Sequence, residues 1–402
     1  MLSIIGWSLI GGAYLCNAYP AFESVFLKNR YNKRKLIENL YKSFTNGEFF
    51  KKISGNEIYP TLLRCDTKRD NVTFVFTVPR GLEPDTFIKK DYVFKQHFGK
   101  HIDLIVDVSR IVLKVYPEGL PSEFKYQYDN VTESIKGLKL PIVCGQNLEG
   151  SIYSFDMVTN PHMLISGETG SGKSSELRSI LTTLIKLKNP NDLRLVLGDL
   201  KRSEFHLFKN IEHVEGVYHS ADKLRPALKK VKKEMTKRGN MLDEEGVNSI
   251  DQLKVKLPYI IVCIDEVALL KKETDIMDIL EEISSIGRSL GVFVILSMQR
   301  PDSKLLDGKL KVNLTVRMGF KTADLTNSKI IGTPGSEKIE TPGRMLLKVN
   351  SSMQEIQCPL LENKQAEKLL KPYKVKEIVE EEQQPEEDIY SKVRELFNNE
   401  ET

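Results

Sequence analysis

Residues 167 to 174 read Gly-Glu-Thr-Gly-Ser-Gly-Lys-Ser, which fills every defined position of the phosphate-binding loop pattern G-x-x-x-x-G-K-[ST]. The preceding residues His162–Ser166 have the composition of a short buried strand, and apolar residues recur at helical spacing between Ser175 and Leu187. A strand, a glycine-rich loop and a helix therefore follow one another in the order that phosphate binding requires. The stretch predicts a nucleoside triphosphate site, and an ordinary glycine-rich turn before a helix is the alternative.

Each position of this loop has a chemical role in phosphate binding. Its glycines let the backbone turn tightly and aim N–H groups at phosphate oxygens, with the positive end of the helix dipole behind them. We expect Lys173 to bridge the β- and γ-phosphates of ATP and the Ser174 hydroxyl to hold Mg²⁺. The predicted nucleotide-binding residues are Gly167, Glu168, Thr169, Gly170, Ser171, Gly172, Lys173, Ser174 and Ser175.

The composition is that of a globular protein with room for two domains. The chain has 402 residues, of which 40% are hydrophobic and 28% charged, and its net charge is only +4. Affinity for nucleic acid must therefore come from local basic surface. The five cysteines are far apart and form no C-x-x-C pair, which argues against a zinc site or a disulfide framework and favours a reducing compartment.

A second set of residues with the chemistry of nucleotide hydrolysis follows the loop by about 90 residues, a spacing usual for phosphate-loop folds. The apolar run Tyr259–Ile264 predicts a buried strand, and Asp265 and Glu266 stand at its carboxyl end, where open α/β sheets place their ligands. Asp265 is suited to hold Mg²⁺ through water, and Glu266 to polarise the attacking water as a general base. An acidic helix cap is the alternative for the pair.

Two further candidates flank the predicted strand Val292–Ser297. Gln299 follows this strand, where a polar side chain can touch both the γ-phosphate and the water, although it could equally cap a turn. Arg288 precedes the strand and supplies a cation that could complete a neighbouring subunit's site as an arginine finger, or could form a surface ion pair.

The chain divides into five segments. Residues 1–22 carry no charge and are followed by a basic cluster, which suggests a transmembrane helix with a cytoplasmic basic flank, or else a helix docked on its own domain or on a partner. Residues 23–60 are a basic, helical connector, and 61–144 a small α/β or β-rich domain. Residues 145–350 alternate buried strands with helices, which predicts a parallel sheet. Residues 351–402 are an acidic tail with a short terminal helix.

Residues 145–350, which we name the motor segment, resemble the FtsK/SpoIIIE family of DNA translocases. The residues that carry the resemblance are Gly167–Ser174, Leu197–Lys201 (Leu-Gly-Asp-Leu-Lys), Glu234-Met235, Leu257-Pro258-Tyr259, Asp265-Glu266, Gly287-Arg288 and Gln299-Arg300-Pro301. The resemblance implies a RecA-like P-loop NTPase motor domain, a hexameric ring and ATP-driven movement along double-stranded DNA. It implies for Lys173, Asp265, Glu266 and Gln299 the same roles that their chemistry suggests.

The chain departs from the cell-division members of that family, because it lacks a long multi-span membrane domain, an extended linker and a recognisable winged-helix domain. A short, singly anchored motor with a small N-terminal domain looks more like the coupling proteins of Gram-positive conjugative elements, the TcpA and ConQ type. Such proteins bring relaxase-bound DNA to a secretion channel. This likeness implies a location at the cytoplasmic face of the cell membrane and partners that include a relaxase and channel proteins.

A motor that moves on any DNA sequence needs phosphate contacts from lysine and arginine. The candidates are Lys304, Lys309 and Lys311, in the loop past the strand that ends before Gln299. The denser lysine cluster at 229–237 lies on a predicted helix and is more often a solvated face. The alternatives to a conjugative coupling protein are a chromosome- or plasmid-partitioning pump, and a nucleotide-gated secretion scaffold that does not move DNA.

Overall fold

The computed structural model describes residues 33–68, 71–306 and 309–375, which form a small N-terminal unit and a large unit built on one sheet. The elements of the small unit are α1 (33–46), β1 (Lys51–Ile53), β2 (Asn56–Ile58), β3 (Leu62–Thr67), β4 (Val72–Thr77), α2 (Asp85–Lys89), α3 (Asp91–Phe98), β5 (Ile102–Val106) and β6 (Arg110–Val115). Its main sheet is antiparallel, with strand order β3-β4-β6-β5. This small unit is α/β, in agreement with the sequence.

Phenylalanine side chains fill the core of the small unit. Phe44 of α1 packs against Phe76 of β4, with ring centroids 4.9 Å apart, and Phe49 stacks on Phe87 and Phe94. Because Leu40 and Phe44 are fully buried in this core, α1 is part of the small unit, whereas the sequence assigned residues 23–60 to a connector. The sequence pattern of α1 predicted a helix, but it did not indicate which surface the helix packs against.

The large unit contains the remaining described elements. These are β7 (Phe124–Lys125), α4 (Tyr128–Thr132), β8 (Pro141–Asn147), β9 (Ile152–Asp156), β10 (Met163–Ser166), α5 (Lys173–Leu187), β11 (Leu193–Asp199), β12 (Val214–Tyr218), α6 (Ala221–Glu245), β13 (Tyr259–Asp265), α7 (Thr274–Ile286), β14 (Val292–Met298), α8 (Lys309–Asn313), β15 (Val316–Gly319), α9 (Leu325–Ile331), β16 (Arg344–Val349), β17 (Ser352–Gln357), β18 (Pro359–Leu360) and α10 (Asn363–Leu370).

Within the described residues the large sheet has the strand order β12-β11-β13-β14-β10-β15-β16-β17-β8-β9. The strands from β12 to β15 in this order are parallel, which confirms the predicted parallel central sheet. The last four strands add to it in antiparallel fashion. The sheet therefore extends beyond the predicted motor segment 145–350 at both ends, because β8 begins at Pro141 and β17 ends at Gln357.

Both faces of the parallel strands are covered by helices, because their apolar residues alternate between two cores. Leu195 and Ile261 face the core that contains α5 and α10, whereas Val196 and Val262 face the core that contains α6 and α7. The parallel strands all point the same way, so their carboxyl ends meet at one edge. The loop that follows β10 lies at that edge.

One buried arginine explains two of the sequence motifs. Arg238 of α6 is fully buried, and its guanidinium donates to the carbonyls of Pro258 and Leu290, each at 2.8 Å, and to Glu234 at 3.0 Å. Pro258 and Leu290 precede β13 and β14, so Arg238 fixes the amino ends of these strands against α6. Glu234 and the Leu-Pro-Tyr sequence therefore have structural roles.

The first part of the expected tail is folded. Strands β17 and β18 and helix α10 lie between residues 352 and 370, where Ile356, Leu361, Ala366 and Leu370 are buried in the core beside α5. The acidic stretch Glu380–Asp388, the expected terminal helix and the uncharged segment 1–22 lie outside the described residues. Among the residues that are described, no helix has the length and apolarity needed to cross a bilayer.

Candidate nucleotide-binding and hydrolysis site

The phosphate-loop sequence lies between β10 and α5, in the middle of the large sheet. β10 is flanked by the parallel strands β14 and β15. The amide of Gly167 donates to the carbonyl of Met298 at 3.3 Å, and the amide of Glu168 donates to that of Lys321 at 2.9 Å. Because Met298 ends β14 and Lys321 follows β15, both neighbouring strands hold the start of the loop in place.

The loop conformation depends on glycine at two positions. Gly170 and Gly172 have φ values of +80° and +111°, in the left-handed region that favours glycine. A Cβ atom at Gly172 would lie 2.6 Å from the Cα of Gly343, whose amide donates to the Ser171 carbonyl at 2.8 Å. The loop is thus packed directly against the turn that leads into β16, where no side chain fits.

The loop has the donors that a phosphate group needs. Within the described structure, the amides of Thr169, Gly170 and Gly172 have no hydrogen-bond acceptor. They precede the first turn of α5, where the helix dipole favours an anion. Ser175 differs, because its hydroxyl donates to the Pro359 carbonyl and accepts from the Leu361 amide, each at 2.9 Å. The Ser175 side chain therefore holds β18 against α5.

Two of the predicted catalytic side chains, Lys173 and Asp265, meet at the carboxyl edge of the sheet. Lys173 is only 4% exposed, and its ammonium lies 2.6 Å from Oδ1 of Asp265 and 2.8 Å from the Ser297 hydroxyl. Ser297 in turn donates to the same Asp265 oxygen at 2.9 Å. These three groups form a buried, charge-balanced triangle across β13, β14 and α5. Ser297 was not among the residues predicted from the sequence, although its place near the end of a buried parallel strand was a usable signal.

Glu266 has a strained backbone and a buried carboxylate. Its φ of +57° lies in the left-handed region, which residues other than glycine seldom adopt. Backbone strain of this kind is concentrated at functional sites. Its carboxylate pairs with Lys201 at 2.7 Å and accepts from the amide of Gln299 at 3.2 and 3.3 Å. The alternative of an acidic helix cap does not fit this geometry. The carboxylate instead binds Lys201, which follows β11, and the amide of Gln299, which follows β14.

The Ser174 hydroxyl has a partner that the sequence did not suggest. It donates to Oε1 of Glu204 at 2.5 Å. Glu204 lies in the loop that follows β11, and Asp199, at the end of β11, is in register with Asp265 on β13. The signal in the sequence was the run Leu197–Lys201, in which the buried strand β11 ends at Asp199.

Burial also raises the pKa of two groups near the loop. The Cys263 thiol is fully buried, and desolvation followed by the nearby Asp265 charge raises its pKa. Glu176 lies in the first turn of α5 with both carboxylate oxygens buried and without a hydrogen-bond partner among the described residues. Desolvation raises the pKa of Glu176 well above its ordinary value. Burial therefore favours the neutral form of Glu176.

The remaining site candidates lie at different distances from this centre. Gln299 is half-buried beside Glu266, whereas Arg288 is exposed and donates to the Val158 carbonyl at 3.1 Å. Arg288 precedes β14, and the phosphate loop follows β10, a strand parallel to β14. Since the two positions lie at opposite edges of the sheet, Arg288 does not reach the nucleotide site of its own chain.

The predicted DNA-contacting lysines follow β14. Lys304 is exposed, Lys309 begins α8, and Lys311 is half-buried, with its carbonyl accepting from Arg317 at 2.8 Å. The segment starts at the same sheet edge as the nucleotide site, directly after Gln299.

A glycine loop between a parallel strand and a helix, with a lysine at its end and an aspartate and a glutamate at the carboxyl end of another parallel strand of the same sheet, defines a P-loop NTPase. Residues 134–257 match the model of the FtsK/SpoIIIE family. The segment that holds the phosphate loop is therefore similar to the FtsK/SpoIIIE family.

Two curated relatives show the extent of this match. The DNA translocase FtsK of Borreliella burgdorferi is 32% identical over 222 residues, which cover 52% of this chain and 28% of the relative. The DNA translocase SpoIIIE of Bacillus subtilis is 30% identical over 226 residues, which cover 52% of this chain and 29% of the relative. The chain thus spans less than a third of the length of these relatives.

The fold is similar to that of a solved coupling protein over most of its length. The monomer form of the pCW3 conjugation coupling protein TcpA, determined with ATPγS, superposes with a TM-score of 0.58 at 23% identity. The match covers 83% of this chain and 98% of that chain. The similarity therefore includes more than the motor segment, and it establishes the fold.

Proposed function

We propose that this chain is an ATP-driven DNA translocase whose motor is the large unit. The observation that carries the proposal is the convergence of Lys173, Asp265 and Glu266 at the carboxyl edge of one parallel sheet. A phosphate-binding cation, a carboxylate suited to Mg²⁺ and a second carboxylate for proton transfer are the groups that nucleotide hydrolysis needs. The match of residues 134–257, which include Lys173, to the FtsK/SpoIIIE family supports DNA as the substrate that is moved.

The residues present fit a magnesium nucleotide. Amides of the loop would bind phosphate oxygens, and Ser174 and Asp265 would hold the cation, which neutralises charge on the transferred phosphoryl group. Lys173 would bind the β- and γ-phosphates in place of its contact with Asp265. Glu266 would accept a proton from the attacking water, since its carboxylate is held beside the Gln299 amide.

Gln299 and Arg288 would link hydrolysis to the rest of an assembly. The amide of Gln299 donates to Glu266, and the segment with Lys304, Lys309 and Lys311 follows Gln299 in the chain. This position suits a sensor of nucleotide state. Arg288 is placed too far from its own site to act there, and its exposure suits a contact with a neighbouring subunit's site. This role requires a ring, for which we propose a homohexamer.

Lys304, Lys309 and Lys311 would contact DNA phosphates, which allows movement without sequence readout. We further propose a role as a conjugative coupling protein, which would deliver relaxase-bound DNA to a secretion channel at the cytoplasmic face of the membrane. The similarity to the TcpA fold over 83% of this chain supports this finer assignment, as does the uncharged segment 1–22 followed by basic residues.

The central experiment measures ATP hydrolysis with and without double-stranded DNA, together with displacement of a third strand from a DNA triplex. We expect DNA to stimulate hydrolysis several-fold and triplex displacement to require ATP. Hydrolysis that ignores DNA, or hydrolysis without displacement, would overturn the translocase and favour a nucleotide-gated scaffold. A relaxase pull-down then separates conjugative transfer from chromosome or plasmid partitioning.

The DNA contacts have a matched control within the chain. Replacing Lys304, Lys309 and Lys311 by alanine should lower the slope of log affinity against log salt by about 2 to 3, because each phosphate contact contributes about 0.9. The control replaces Lys229, Lys230 and Lys233 of α6, which are exposed and form no ion pair within the described structure. Equal effects of the two triple variants would contradict the assignment.

A further inference from the structure

The loop that follows β11 is held in one conformation by its first residue. The Asp199 carboxylate accepts hydrogen bonds from the amides of Ser203 at 3.0 Å, Glu204 at 3.3 Å and Phe205 at 3.0 Å. Asp199 is fully buried, and the Phe205 side chain is buried in the core beside α5. Residues 199–205, which we name the β11 loop, therefore have a fixed backbone, and their side chains start from defined positions.

One side chain of the β11 loop reaches the proposed general base. Lys201 places its ammonium 2.7 Å from Oε2 of Glu266. The Glu266 side chain is 7% exposed and the Lys201 side chain 34%, so the lysine covers the carboxylate from the solvent side. A carboxylate buried to this degree needs a cation or several donors, and Lys201 and the Gln299 amide supply them.

A second side chain of the same loop reaches the proposed magnesium ligand. The Ser174 hydroxyl donates its hydrogen to Glu204, and this fixes the direction of the O–H bond. Since a hydroxyl binds a cation through its lone pairs, its hydrogen must point elsewhere, and Glu204 is the acceptor that directs it. Burial lowers the pKa of Arg178, one turn further along α5, and the nearby Glu204 charge acts in the opposite direction.

We propose that Lys201 and Glu204 are positioning residues for ATP hydrolysis, Lys201 acting through Glu266 and Glu204 through Ser174. The β11 loop thereby ties the general base and the metal ligand to one rigid anchor at Asp199. This inference rests on the proposed function, because it assigns both residues to the hydrolysis of a magnesium nucleotide. Neither residue touches the nucleotide in this proposal.

The first test separates kcat from KM. Lys201→Ala should lower kcat about 10- to 100-fold, the usual cost of losing an outer-shell partner, and leave KM for ATP within about 3-fold. Lys201→Arg keeps a cation and should restore most of kcat. The matched control is Lys209→Ala, a nearby exposed lysine without an ion pair in the described structure. A rise in KM at constant kcat, or no rescue by arginine, would overturn the role of Lys201.

The second test measures binding and needs no turnover. The affinity for a fluorescent ATP analogue is measured in Mg²⁺ and in EDTA. Glu204→Ala should lose most of the gain in affinity that Mg²⁺ provides and keep the affinity measured in EDTA, whereas Glu204→Gln, which retains an acceptor oxygen, should keep the gain. Equal weakening in both conditions would mean that Glu204 only supports the loop structure and would overturn its role.

The two proposals fail in different ways. If the wild-type chain hydrolyses no ATP with or without DNA, the proposed function fails, and the Mg²⁺-dependent binding of the Glu204 variants still decides the role of that residue. If the wild type hydrolyses ATP and the Lys201 and Glu204 variants behave like the Lys209 control, the inference alone fails. Thermal unfolding of each variant, expected near the wild-type midpoint for Lys201→Arg and Glu204→Gln, shows that the fold is retained.

Discussion

The Lys173 ammonium and the Asp265 carboxylate lie 2.6 Å apart, and their side chains are 5% and 2% exposed. Each would carry an unbalanced charge in the protein interior without the other. One contact thus holds together the lysine that we propose for phosphate binding and the carboxylate that we propose for Mg²⁺. In that proposal, a bound magnesium nucleotide would replace this contact by others of matching charge.

Lys173→Ala should abolish hydrolysis and also destabilise the protein. Loss of a charge-stabilising group lowers kcat at least about 100-fold, and the unpaired Asp265 should cost about 3–5 kcal/mol of the free energy of unfolding. ATPase assays and urea unfolding measure the two effects. The double variant Lys173→Ala/Asp265→Ala should regain part of the stability and none of the activity. A fully stable single variant would contradict the pairing.

Glu266→Gln tests the general base. The amide keeps the shape of the side chain but accepts no proton, so kcat should fall about 10²- to 10⁴-fold. Binding of a fluorescent ATP analogue should stay near the wild-type value. Glu244→Gln, an exposed position of α6, is the control and should leave both quantities unchanged. Substantial remaining turnover in Glu266→Gln would assign proton transfer to another group.

Gly170→Ala and Gly172→Ala form a matched pair, because both positions have positive φ but only one is crowded. A Cβ at Gly170 meets open space, whereas a Cβ at Gly172 would lie 2.6 Å from the Cα of Gly343. Backbone strain should affect both variants, and overpacking should lower the free energy of unfolding of Gly172→Ala by about 1–3 kcal/mol more. Equal stabilities in urea unfolding would show that the turn at Gly343 moves freely.

Glu176 should make the protein less stable as the pH rises. Burial raises its pKa in the folded chain, so above the ordinary value of 4.5 the unfolded chain releases a proton that the folded chain keeps. The free energy of unfolding therefore falls with pH between 4.5 and the raised pKa, by about 1.4 kcal/mol per pH unit from this group. Glu176→Gln should remove that contribution, so the free energy of unfolding of the variant relative to the wild type should rise as the pH increases above 4.5. A constant difference would show that Glu176 is ionised in the folded state.

Arg288→Ala tests action between subunits. If Arg288 completes a neighbour's site, the variant alone should lose hydrolysis by about 10³-fold, as other arginine-finger variants do. Mixing it with Lys173→Ala should restore partial activity, because some sites would then combine an intact phosphate loop with an intact arginine. The proposal fails if the mixture is no more active than its components.

The elements that could be predicted from the sequence are those whose signal is local. The phosphate loop, the acidic pair at 265 and 266 and the buried strands around them are each encoded within a few adjacent residues, through backbone sterics, apolar runs and their carboxyl ends. For this reason the parallel sheet and the placement of Lys173 near Asp265 agree with the structure. Gln299 was also expected beside this centre, because it follows a strand of the same sheet.

The positions that the sequence did not show depend on contacts between distant segments. Ser297 lies 124 residues from Lys173, and Glu204 lies 30 residues from Ser174. The local pattern places both residues near the carboxyl ends of buried strands, but it does not indicate which side chains they contact. Likewise, β8 and β17 join one sheet, although the chain between them includes the whole parallel region.

The sequence by itself determined that this chain has a phosphate-binding loop, an acidic pair at the end of a buried strand and an α/β fold with a parallel sheet, because these follow from short-range stereochemistry and periodicity. Only the tertiary structure decided that Lys201 and Glu204 reach Glu266 and Ser174, and that Arg288 faces away from its own site. These relationships depend on which strands become neighbours in the sheet and on the edge of the sheet at which each loop emerges. Strand order is set by the packing of the whole core, and no short stretch of sequence contains that information.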